Sequence, residues 1–155
     1  MARRFAIGTG MKVLAEEFHC LIASPAQPQG ANARKRANWY QPGDRALDLG
    51  EPALIAGTVG DILRDYPLDP ARVHAAGLSG SGAAAAIMGA AYPDLCAAVG
   101  VHSGLPVGGA QEAASAFAAM QGDSYTDLKG PDASREMPRF FLQQARDQRR
   151  AQTDR

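Results

Sequence analysis

Residues 73–88 run Val73-His74-Ala75-Ala76-Gly77-Leu78-Ser79-Gly80-Ser81-Gly82-Ala83-Ala84-Ala85-Ala86-Ile87-Met88. This order is a short apolar strand, a glycine-rich turn with a serine at its apex, and a helix of small residues. It is the pattern of a nucleophile elbow, in which a sharp strand-to-helix turn lifts a serine hydroxyl above the sheet edge. The chemistry it suits is attack on a carbonyl carbon. Small residues must flank the serine, because a Cβ there would collide where strand and helix approach. The helix begins just after Ser79, so its first N–H groups point to where a developing oxyanion would sit. The usual spelling is Gly-x-Ser-x-Gly, and here the fifth position is Ser81, with Gly82 next. Two other readings stay open: a glycine-rich βα turn with no chemistry, or one that binds phosphate. The dinucleotide pattern Gly-x-Gly-x-x-Gly is missed at its third position, Ser79, and there is no P-loop lysine.

The elements around this turn predict an α/β fold with a parallel sheet, because strands and helices alternate. A helix is expected over about 9–18, with Met11, Leu14, Ala15 and Phe18 on one face. Cys20 to Ser24 is a short apolar run closed by Pro25 and reads as a strand. Residues 26–50 sustain no period. A loop of that length in a compact domain is usually functional or disordered. It holds Asn38-Trp39-Tyr40, which either lines a substrate groove or pins the loop to the core. Glu51-Pro52 opens a helix whose inner face is Leu54, Ile55, Val59, Ile62 and Leu63, ended at Tyr66-Pro67. Residues 69–72 form a turn into the elbow strand. The helix after the elbow runs to about Ala91, and Cys96 to Val101 is a third strand with His102 at its end. A helix over 112–120 is expected, then a polar stretch to Pro138, a lone apolar cluster at 140–142, and a solvated helix or disordered tail to Arg155.

The totals narrow the function. The 155 residues suit one domain, and 16 basic residues balance 16 acidic ones. Zero formal charge gives no electrostatic reason to bind nucleic acid or an anionic membrane. Cys20 and Cys96 lie far apart in apolar runs. They read as buried free thiols with no metal-ligand spacing. Met1-Ala2-Arg3-Arg4 is basic, but Gly8, Gly10 and Lys12 break the stretch that follows, so neither a signal peptide nor a membrane span is expected within this chain.

Several stretches taken together resemble the polyhydroxybutyrate depolymerase family of esterases. They are residues 51–57 (Glu51-Pro52-Ala53-Leu54-Ile55-Ala56-Gly57), Asp69-Pro70-Ala71-Arg72-Val73, Ala76-Gly77-Leu78-Ser79, Tyr92-Pro93-Asp94-Leu95, and residues 97–106 from Ala97 to Pro106. Met11 to Glu17, Ser24-Pro25-Ala26-Gln27 and Asn38-Trp39 add to them. The resemblance runs from about Phe5 to Gly122. It implies an α/β-hydrolase fold, three layers with a mostly parallel sheet and flanking helices. It also implies a serine esterase in which Ser79 is the nucleophile and the Gly80 backbone N–H forms half of the oxyanion hole. Polyesters of short hydroxyacids or related acyl esters are the implied substrates. No metal or cofactor, no nucleic acid and no membrane is implied; the resemblance implies an extracellular location, and the lack of a signal-peptide pattern keeps a cytoplasmic one open.

The chain also departs from the family's pattern. The family places its acid and histidine on later strands, whereas the one histidine after Ser79 is His102, in a stretch the family uses structurally. His19 and His74 precede it. Asp123, Asp127 and Asp132 follow without a strand pattern to deliver them. A His-Gly-Cys turn is not found before the first helix, and Arg36 stands where a cysteine is expected before Asn38-Trp39. The expectation is therefore a partial α/β-hydrolase domain over 1–122, short of the family's first strands and its acid- and histidine-bearing strands, and a non-family tail over 123–155. The alternative is an inactive remnant, or a chain that needs a partner to complete sheet and triad and self-associates through unpaired sheet edges. A small-ligand binding module using the elbow's N–H groups is a third reading.

Overall fold

The computed structural model describes residues 8–28, 30, 38–41, 43, 46–102 and 133–144. At its centre two strands, β1 (His74–Leu78) and β2 (Ala98–His102), pair in parallel, with His74 opposite Ala98 and Leu78 opposite His102. Parallel neighbours need a crossover, and helix α3 (Gly80–Ala91) supplies it. α3 packs against both strands. Its Ala83, Ala85, Ile87 and Met88 are buried. Its small residues have a geometric reason: a Cβ built on Gly89 would lie 2.5 Å from Val99 Cγ2. Helix α2 (Gly50–Asp65) packs against α3.

Helix α4 (Ala133–Leu142) covers the other face. Its Met137 and Phe141 reach Gly100, where an added Cβ would come within 2.5 Å of Met137 Sδ and 2.9 Å of Phe141 Cζ. Val99 and Gly100 are adjacent in β2, so their outward directions are opposite, and α3 and α4 therefore flank the sheet. Phe141 stacks on His74 with ring centroids 4.8 Å apart and planes 8° from parallel. Helix α1 (Met11–Phe18) lies against α4, joined by a bidentate pair from Arg135 to Glu17 at 2.6 and 3.0 Å. The described residues thus form an α/β arrangement of three layers, in agreement with the predicted class.

Most element boundaries fall close to those expected. α1 starts two residues later than 9, after Gly10, which adopts the left-handed conformation (φ 63°) and whose carbonyl accepts from Val13 and Leu14. Asp69 Oδ1 accepts from Ala71 N at 2.9 Å and fixes the 3-10 turn Pro70–Arg72 before β1. β2 starts at Ala98, because the Leu95 and Cys96 N–H groups turn back to Tyr92 O and Ala97 N bonds Val73 O at 2.7 Å.

Four expectations need correction. Residues 20–24 form no strand: 20–28 run without regular structure, since a strand exists only where a neighbour completes its ladder, and none pairs with them among the described residues. Cys20 is exposed and Cys96 half-buried; both are free thiols, but neither is buried. Leu54 is 72% exposed, on the outer side of α2. The apolar cluster at 140–142 is not isolated; it is the end of α4. The helix expected over 112–120, and Asp123, Asp127, Asp132 and Arg36, lie outside the described residues, as does the stretch from 145 onward.

Candidate active site

β1 runs directly into Ser79, and α3 begins with the next residue. Ser79 has φ 56° and ψ −124°. Left-handed φ with extended ψ is a region that L-residues avoid, and it costs about 1–3 kcal/mol where the surroundings enforce it. Here they do. Ser79 N–H donates to His102 O at 2.9 Å, continuing the β1–β2 ladder. Ser79 O accepts from Gly82 N at 2.8 Å and Ala83 N at 3.1 Å, which starts the helix. One peptide is thus tied to the sheet on one side and to α3 on the other.

The flanking glycines follow from this bend. A Cβ on Gly77 would lie 2.0 Å from Ser81 O and 2.6 Å from Gly82 N, both backbone atoms. A Cβ on Gly80 would lie 3.1 Å from Trp39 Nε1. Ser81, by contrast, is exposed, and its side chain fits at the position where the usual spelling has glycine. The intrahelical bonds begin at Gly82 N and Ala83 N, so the Gly80 and Ser81 N–H groups precede them and carry the positive end of the helix. The Ser79 hydroxyl does not cap the helix. A half-buried serine therefore stands at the carboxyl end of a parallel strand, beside helix donors. That arrangement can attack a carbonyl and stabilise the oxyanion that results.

The histidines have other placements. His102 closes β2, and its carbonyl anchors Ser79. His74 is at the opposite end of β1, stacked on Phe141, with Nε2 3.1 Å from Gln144 O. His19 ends α1 in the left-handed conformation. Among the described residues, no histidine or carboxylate hydrogen-bonds the Ser79 hydroxyl, and no group of three His, Cys, Asp or Glu side chains is placed to hold a metal.

Asn38 and Trp39 are 6% and 4% exposed. The Trp39 ring packs with Ala83 and Ile87 of α3 and meets Tyr40 edge-on at 5.9 Å. This packing pins the loop to the core at α3. Sequence reading missed what holds the loop there. Glu51, read only as a helix start, accepts from Asn38 N through Oε2 at 2.9 Å and from Gln27 Nε2 through Oε1 at 2.5 Å. Its partners lie 13 and 24 residues away, a separation that no local pattern reports. Further along the loop, Asp48 N donates to Tyr92 Oη at 2.9 Å.

Comparison with known proteins agrees with the geometry. A family model described as Esterase PHB depolymerase matches residues 1–134. The chain is similar to poly(3-hydroxyalkanoate) depolymerase C of Paucimonas lemoignei, with 32% identity over 112 residues, 72% of this chain and 27% of that protein.

Proposed function

We propose that this chain, which belongs to the Esterase PHB depolymerase family, is a serine ester hydrolase acting through Ser79. The observation that carries the reading is the backbone of Ser79, held at φ 56° and ψ −124° between strand and helix. Nothing in packing requires a serine in that conformation, where glycine would carry no strain; a nucleophile does.

In the proposed reaction Ser79 Oγ bonds to the ester carbonyl carbon while its proton passes to a general base. The negative oxygen of the tetrahedral intermediate accepts hydrogen bonds from the Gly80 N–H and the helix N-terminus. The bond to the alcohol oxygen then breaks, and the alcohol leaves with that proton. Water repeats the sequence on the acyl-serine, releasing the acid and restoring the hydroxyl. The chain spans 27% of the length of the depolymerase it resembles, and the triad's base and acid are not assigned to residues of this chain.

Polyhydroxyalkanoate or related acyl esters are the proposed substrates, an α/β-hydrolase sheet the proposed setting, and an extracellular location part of the same proposal. Among the described residues no helix is long and apolar enough to cross a membrane. The test is hydrolysis of soluble 3-hydroxybutyrate oligomers by the full chain and by Ser79→Ala. Acid release that disappears in Ser79→Ala supports the reading. Release that survives the substitution rejects Ser79 as the nucleophile.

A further inference from the structure

We infer that Glu51 is a positioning residue for the oxyanion donor, acting through Trp39. The inference rests on the assignment of Ser79 and Gly80 above. Gly80 is bordered on one side by the Trp39 indole edge: an added Cβ would lie 3.1 Å from Nε1 and 3.4 Å from Cδ1. The indole itself is 4% exposed and packs on Ala83 and Ile87, one and two turns further along the same helix. Trp39 thus lies along the first turns of α3, against the residue whose N–H would receive the oxyanion.

Trp39 sits in a turn, with residues 38–41 in neither helix nor strand, so its position is set by specific bonds. Glu51 provides them. It sits in the first turn of α2 and uses one carboxylate oxygen for the Asn38 backbone N–H, next to Trp39, and the other for the Gln27 side-chain amide. Two segments separated in sequence are thereby tied to one helix start. Hydrogen bonds to an ionised acceptor are the strong ones, and both of these are part-buried. The chain of contact runs Glu51, Asn38, Trp39, Gly80. Rotation of the Gly80 peptide by a small angle would turn its N–H away from the oxyanion, and displacements near 1 Å at such sites cost about 100-fold in rate.

A second role for Glu51 is generic: an acidic side chain in a first turn favours the helix macrodipole. The two roles respond oppositely to two conservative variants. Glu51→Asp keeps the charge but is shorter by a methylene and cannot span both partners. Glu51→Gln removes the charge but keeps the reach: its oxygen accepts from Asn38 N–H, and the Gln27 amide turns over to accept from its NH₂.

The experiment uses the full-length chain in three readouts. Emission of Trp39, the chain's one tryptophan, reports burial of the indole. The Gly80 amide resonance in ¹⁵N-labelled protein reports the ring's position over that peptide. Phosphonylation by an alkyl fluorophosphonate, followed by intact mass, reports Ser79 reactivity. With far-UV circular dichroism unchanged, Glu51→Asp should red-shift the emission, move the Gly80 resonance and slow phosphonylation about tenfold or more. Glu51→Gln should keep most of the wild-type behaviour in all three. Glu51→Ala should follow Glu51→Asp; if it fails to fold, the Asp and Gln pair decides.

A Gly80 resonance that stays in place in Glu51→Asp overturns the inference, as does the reverse ranking, Gln worse than Asp. A resonance that moves while phosphonylation keeps its rate overturns the link to reactivity and leaves Ser79 as nucleophile. Absence of phosphonylation in the wild-type chain, with the resonance moving as expected, rejects the nucleophile and leaves the Glu51–Trp39–Gly80 contact in force.

Discussion

Gly77→Ala is the substitution whose cost can be worked most directly from the structure. The new Cβ would fall 2.0 Å from Ser81 O, 2.2 Å from Ser81 C and 2.6 Å from Gly82 N. Cβ atoms essentially never come within 3.0 Å of such atoms, so strand end and helix start must part by roughly 1 Å. No flexible side chain can yield, because all three atoms are backbone. Separation is opposed by the bonds from Ser79 N to His102 O and from Gly82 N and Ala83 N to Ser79 O. Overpacking costs about 1–3 kcal/mol in a yielding core, and a backbone clash belongs at the upper end. At about 2–4 °C per kcal/mol for a chain of this size, Tm should fall by about 6–12 °C. Gly60→Ala is the control. Gly60 is inside α2 with nothing within 4 Å of an added Cβ, and replacing a helix-interior glycine stabilises by about 0.5–1 kcal/mol. Thermal unfolding followed at 222 nm reads both. The reasoning is refuted if Gly77→Ala melts within a degree or two of the parent, or if the two alanines shift Tm alike.

Ser79→Gly should be more stable than Ser79→Ala by roughly 1 kcal/mol or more, and melt higher, because glycine accepts φ 56° without strain; equal melting of the two variants would show that the bend stores nothing. His74→Leu should destabilise by about 1–3 kcal/mol in denaturant titration, through loss of the stack on Phe141 and the bond to Gln144 O; His74→Phe should recover part of that loss. Glu17→Gln should cost no more than about 1 kcal/mol, and less in high salt, because both side chains of its pair with Arg135 are more than a third exposed.

The elbow was legible in the sequence because its constraints are local. Gly77, Ser79 and Gly80 must occur within four residues for the bend to exist, and they stand between a short apolar run and a run of small helix-compatible residues. The parallel pairing of β1 and β2 followed from the strand–helix–strand order. What was not legible depends on distant neighbours. Cys20 to Ser24 has the composition of a strand, but composition does not supply a partner for its ladder. α4 is amphipathic, but Pro138 inside it reads as a helix breaker and hides that pattern; its inner face meets Gly100 and His74, far away in sequence. Glu51 is similar: its residue type marks a helix start, while its bonds to Asn38 and Gln27 exist only once the loop has folded back.

The most direct test of the central claim is to locate the adduct formed by an alkyl fluorophosphonate on the full-length chain. Tryptic peptides analysed by tandem mass spectrometry distinguish Ser79 from its neighbour Ser81. A single adduct on Ser79, absent from Ser79→Ala, is the expected result. Modification of Ser81 in its place, or none at all on a chain shown to be folded by circular dichroism, would contradict the account.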